Sequence, residues 1–99
     1  MQLRYREVTT LPQLAWCTRV ERGSDTADVF HGGLVETRPH AFVEGMWNGA
    51  FEAFDFAGAT IVAGSGGVAE RDCIRFSSST DHLGPLFSIA KRGALYVSN

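Results

Sequence analysis

The sequence predicts a mostly β domain: an antiparallel β-sheet or sandwich-like fold built of hairpins, with zero or one short helix. Three observations carry this. Apolar and β-branched residues come in short runs, such as Thr60-Ile61-Val62-Ala63 and Ala94-Leu95-Tyr96-Val97, the pattern of strands. Glycine, proline and polar clusters punctuate those runs. No stretch shows the spacing of a long amphipathic helix, and no internal repeat is visible. The expectation is about six to eight short strands.

Element by element, Leu3, Tyr5 and Glu7 alternate with Gln2, Arg4 and Arg6, a first strand whose arginines suit an edge. Thr9 to Pro12 breaks it. Thr10 is a fit cap for a short helix with Pro12 in its first turn, and the same residues are equally fit to lead into a strand through Ala15-Trp16-Cys17-Thr18-Arg19-Val20. Glu21 to Asp28 reads as a loop. Val29-Phe30-His31 opens the next apolar patch, and Leu34 to Thr37 is a short strand ended by Arg38-Pro39-His40. Ala41 to Gly45 follows. Phe51 to Phe56 and Thr60 to Ala63 read as a strand and its return, turning at Ala57-Gly58. Gly64-Ser65-Gly66-Gly67 reads as a hinge or bulge between strands. A short strand at Asp72 to Phe76 and a polar connector at Ser77 to Thr80 precede a last hairpin, Leu86 to Ala90 and Ala94 to Val97 about Lys91-Arg92-Gly93. So apolar a strand at the chain end is expected of a domain cut from a longer protein, or of one that packs on a partner.

Composition narrows the function. The chain has 99 residues, 44% of them hydrophobic and 20% charged, so a single β-rich domain spanning residues 1–99 is expected, and disordered, collagen-like and coiled-coil classes are excluded. The net charge is -2, Lys91 is the only lysine and the arginines are scattered. The clustered cations of a nucleic-acid binder are missing. No apolar run approaches the ~20 residues of a membrane helix. No basic segment followed by an apolar one marks a leader. The expected compartment is therefore the cytoplasm, with Cys17 and Cys73 reduced.

Residues 46–99 carry one likeness. Trp47-Asn48-Gly49-Ala50-Phe51-Glu52-Ala53-Phe54-Asp55-Phe56 with Ala59-Thr60-Ile61-Val62-Ala63, and Thr80-Asp81-His82-Leu83-Gly84-Pro85-Leu86-Phe87-Ser88 with Gly93-Ala94-Leu95-Tyr96-Val97-Ser98-Asn99, resemble the N-terminal glutaminase-like domain of asparagine synthetases and related class II amidotransferases, an Ntn-type family. The resemblance implies a sheet whose turn is shaped by Asp81 and Gly84, and a synthetase-type domain following it. The family's nucleophile is a cysteine made N-terminal by loss of Met1, with its own α-amino group as base. Position 2 here is Gln2, Thr80 replaces the arginine before Asp81, and Asn99 replaces the final glutamate. The implied molecule is a shortened relative that keeps the sheet and lacks the glutaminase site, a structural or interaction module that packs on the following domain or on a second copy of itself.

Other candidates are weighed against plainer readings. Cys17-Thr18 supplies an N-terminal nucleophile only after sixteen residues are removed, which makes Cys17 the weak catalytic candidate of a divergent amidohydrolase. Cys73 reads as a small core residue. His31, His40 and His82 lack ligand spacing and read as surface or loop residues, so neither metal nor cofactor is expected. Asp81-His82 below Ser77-Ser78-Ser79 is no triad, because neighbours on a strand face opposite ways. Trp16, Trp47, Phe51, Phe54, Asp81 and Tyr96 are the candidate ligand or partner contacts, the two tryptophans foremost because a partly exposed indole makes a binding hot spot. A small-ligand module with a pocket around Trp47 and Trp16 is the further alternative.

Overall fold

Two packed sheets account for every strand that the computed structural model describes, over residues 1–47, 62–78 and 85–99. Nine strands lie among these residues: β1 (Gln2–Glu7), β2 (Trp16–Glu21), β3 (Thr26–His31), β4 (Glu36–Arg38), β5 (Ala41–Trp47), β6 (Val62–Ala69), β7 (Ile74–Ser77), β8 (Phe87–Lys91) and β9 (Ala94–Ser98). One sheet runs β1-β3-β2-β9-β8 and the other β4-β5-β6-β7. Every pairing is antiparallel except β1 with β3. The β class and hairpin construction expected from the sequence are therefore present, with one strand more than the upper expectation.

Residues 8–15 form turns instead of a helix. Leu11 N–H donates to the Val8 carbonyl and Ala15 N–H to Pro12, after which the β-prone run enters β2. The β2–β3 hairpin folds back so that β3 inserts beside β1. The expected loop at Glu21–Asp28 is shorter than read, because Thr26 to Asp28 already pair with β1.

Alternation decides what is buried. The inner side of the larger sheet presents Leu3, Tyr5, Val29, Trp16 and Val97 to Phe42 and Phe76 of the smaller sheet. Trp16 is the centre: its ring meets Phe42 edge-on at 4.9 Å and stacks on Phe76 at 5.9 Å. Tyr5 meets Phe42 edge-on at 6.5 Å. Such aromatic pairs add about 0.5–1.5 kcal/mol each beyond their burial.

Gly64-Ser65-Gly66-Gly67 corrects the sequence reading. It is neither hinge nor bulge; it is the middle of β6, paired throughout with β5. The reason is close approach. A Cβ on Gly64 would lie 2.1 Å from the Glu44 carbonyl oxygen, and Gly64 and its cross-strand partner Gly45 both hold positive φ (138° and 102°). Glycine here serves a tight ladder rather than a loop.

The last hairpin matches the sequence. Arg92 (φ 53°) and Gly93 (φ 76°) are both left-handed, the signature of a two-residue type I′ turn. The expectation of an exposed final strand is corrected, however. β9 lies between β2 and β8. Asn99 extends that ladder: its Oδ1 accepts from the Trp16 N–H at 2.8 Å, and its Nδ2 donates to the Leu14 carbonyl at 2.9 Å. Among the described residues the edge on that side is β8.

Candidate functional site

The backbone of β8 follows from its hairpin. Arg22 N–H donates to the Gly93 carbonyl and Asn99 N–H to that of Trp16. Those bonds share the register Val20↔Leu95 and Thr18↔Val97, so the odd-numbered residues of β9 bond to β2. Its even-numbered residues then bond to β8, through Ala94↔Lys91, Tyr96↔Ile89 and Ser98↔Phe87. Antiparallel strands alternate bonding direction residue by residue. The N–H and C=O of Ser88 and Ala90 therefore point away from the sheet, and they have no partner among the described residues.

The side chains of this edge are bare as well. All five residues of β8 are exposed, with Phe87 and Ile89 each 61% accessible on the outer side of the sheet. The opposite edge differs. β1 carries Arg4 and Arg6, both exposed, on its outer side, and charges there discourage strand addition. Between the edges the outer face is a charge row. Asp28 binds Arg4 at 2.9 Å and lies 3.9 Å from Arg19; Arg19 Nε donates to the Tyr96 hydroxyl at 3.2 Å and its other nitrogen binds Glu21 at 2.5 Å.

Tyr96 thus sits half-buried on the outer face beside Ile89. Trp16 lies elsewhere: at 1% accessibility it is core, and the partial exposure expected of it is absent. Its indole N–H donates to Ser65 Oγ at 3.0 Å, and Ser65 donates to Glu44 Oε1 at 2.8 Å. Trp47 ends β5, and its side chain lies outside the described residues, as do Phe51, Phe54, Asp81 and His82. Among the described residues, Trp16 and Tyr96 lie apart, on opposite faces of the larger sheet.

Cys17 is half-buried near the start of β2, with its thiol near the Thr18 carbonyl. Burial pushes its pKa up, which disfavours the nucleophilic thiolate. Two further expectations are corrected. Cys73 is exposed just before β7, its thiol 3.6 Å from Glu70 Oε2, instead of in the core. His31 is 7% accessible, in β3 rather than on the surface, with Nδ1 2.9 Å from the Gly32 carbonyl and its ring against Tyr5. Both cysteines are free. Among the described residues no group of three or more His, Cys, Asp or Glu is placed to hold a metal ion, and no helix is long and apolar enough to cross a membrane.

No family model matches the chain, and neither curated proteins nor solved structures give a match. The functional reading rests on the geometry. Sequence reasoning found the β8 strand but missed that it is an edge. The available signal was Phe87 and Ile89 alternating with small residues, in a strand whose only charge is at its end.

Proposed function

We propose that the chain is a non-catalytic β-sandwich interaction module that pairs with a second copy of itself through β8. The observation that carries this is the exposed edge of β8, whose only charge is Lys91 at its end, with the outward backbone groups of Ser88 and Ala90. An antiparallel pairing centred on Ile89 sets Ser88 against Ala90 of the second copy twice over. Each contact is a hydrogen-bonded pair, so four backbone bonds form. Ile89 then faces its own copy at a non-hydrogen-bonded position, where side chains come closest. Each Lys91 falls opposite a Phe87 and the two lysines lie at opposite ends, so like charges do not meet. The result joins two five-stranded sheets into one continuous sheet, the strand-addition mode of recognition.

The amidohydrolase alternative is disfavoured by packing. Exposing Cys17 as a chain terminus would remove β1 and take Trp16, the largest buried side chain, from the core. The likeness of residues 46–99 to glutaminase-like domains stands as a likeness of sequence; much of it lies in residues 48–61 and 79–84, outside those described. A synthetase-type domain is the alternative partner for the same edge.

Sedimentation equilibrium of the 99-residue chain tests the reading. Wild type is expected to approach twice the 10.8 kDa of the chain as concentration rises, and Ile89→Lys to stay at one chain mass with an unchanged circular dichroism spectrum. A wild type that stays at one chain mass at every concentration would overturn self-pairing and leave the edge to a different chain.

A further inference from the structure

At one end of the sandwich the sheets part. Among the described residues the inner side of β2, β9 and β8 extends past β7, and the cleft lined there has a volume of about 640 Å³, within the ~300–1,000 Å³ range of small-molecule sites. Its walls are apolar: Val20, Ala90 and Leu95 on the larger sheet face Ile74 and Phe76 on the smaller. This placement explains why Leu95, an inward-facing residue, is 42% accessible. Its mouth is basic. Arg22 comes from the β2–β3 turn, and Lys91 and Arg92 from the end of β8 and its turn. Among the described residues none of these three makes an ion pair or a side-chain hydrogen bond. The one carboxylate in the lining, Glu21, is engaged by Arg19. Three uncommitted cations around an apolar hollow are unexpected in a chain of net charge -2.

The geometry points to a binding site for a small amphipathic anion: a carboxylate whose head meets Arg22, Lys91 and Arg92 and whose apolar chain or ring lies against Leu95 and Phe76. Burying the apolar body supplies about 25 cal/mol per Å² removed from water, and the cations select the sign of the head. A cationic or neutral amphiphile of the same length gains the first contribution and not the second. The cleft shares Ala90 and Lys91 with β8, whose proposed pairing uses the outward backbone of Ser88 and Ala90 and the exposed Phe87 and Ile89 on the opposite face of the sheet.

Two reporters are built in. Phe76 stacks on Trp16 with ring planes 8° apart, so an occupant touching Phe76 alters the Trp16 environment. Cys73 lines the cleft and Cys17 does not, which makes Cys17 an internal control.

The test is titration with decanoate, decylamine and decanol, read by Trp16 emission in a Trp47→Phe background and by the rate of iodoacetamide alkylation of Cys73. Decanoate is expected to bind saturably, about tenfold or more tighter than either of the others, as one or more charge-assisted contacts would give. It is expected to slow alkylation of Cys73 along the same binding curve while Cys17 is unaffected. A triple variant, R22Q/K91Q/R92Q, is expected to lose that preference and keep its decanol binding. Equal binding of the three probes, an absence of saturation, or a triple variant as tight as wild type for decanoate would each overturn the proposal.

Discussion

The Trp16 indole N–H on β2 donates to Ser65 Oγ on β6, and the Ser65 hydroxyl hands its own proton on to Glu44 on β5, so one hydrogen-bonded chain ties the two sheets at their centre. Ser65 is the only link that both accepts and donates in it. Ser65→Ala leaves the buried indole N–H unsatisfied and frees Glu44, at an expected cost of about 1–3 kcal/mol. Urea unfolding should show a lower midpoint with an unchanged slope.

Gly64 faces Gly45 across β5 and β6, both with positive φ. Gly64→Ala would drive a Cβ to within 2.1 Å of the Glu44 carbonyl oxygen. The strands must separate or twist, and the loss of stability is expected to be about 2 kcal/mol or more, from strain and broken pairing together. Thermal unfolding followed by far-ultraviolet dichroism checks it.

The hairpin turn offers the opposite sign. Arg92 holds a left-handed backbone, φ 53°, in a type I′ turn before Gly93. Asparagine tolerates that conformation better, so Arg92→Asn is expected to stabilise the fold by about 0.5 kcal/mol. The same substitution removes one of the cations at the cleft mouth, and decanoate affinity should fall as stability rises. Chemical denaturation and decanoate titration on one preparation read both.

Tyr5 gives a pH dependence. Burial pushes its phenol well above the ordinary value, the hydrogen bond to the Arg38 carbonyl pulling the other way, and the hydroxyl also donates to the Ala41 carbonyl at 2.8 Å. The phenol stays protonated in the fold and ionises near ~10 in the unfolded chain. Its contribution is therefore complete below that pH and declines as pH rises above it. Cys17, raised by burial, acts with the same sign from its lower ordinary value of ~8.5. Tyr5→Phe should be less stable at neutral pH, by about 1 kcal/mol for the lost hydrogen bonding, and should lose less stability than wild type on passing above pH ~10.

Local chemistry was readable from sequence wherever one strand or turn decides its own structure. The alternation Leu3, Tyr5 against Arg4, Arg6 named an edge strand, and Arg92-Gly93 between apolar runs named a hairpin. Global order was not readable. Nothing in Ala94 to Val97 says that β2 will lie on its far side, so the last strand read as exposed when its neighbour β8 is. Gly64 to Gly67 read as a hinge because glycine marks both loops and close strand contacts, and only the opposing strand distinguishes them. Trp16 read as a surface anchor because its partners Phe42, Ser65 and Phe76 are remote in sequence. For the same reason the cleft was invisible: Arg22, Cys73 and Lys91 meet only through the sandwich.

Backbone amide exchange measured across a range of protein concentration tests self-pairing through β8 most directly. Phe87, Ile89 and Lys91 bond to β9 and should be protected at every concentration, whereas Ser88 and Ala90 point outward. Slowing of Ser88 and Ala90 exchange as concentration rises, abolished by Ile89→Lys, is the predicted result. Exchange at Ser88 and Ala90 that stays fast and independent of concentration would contradict it.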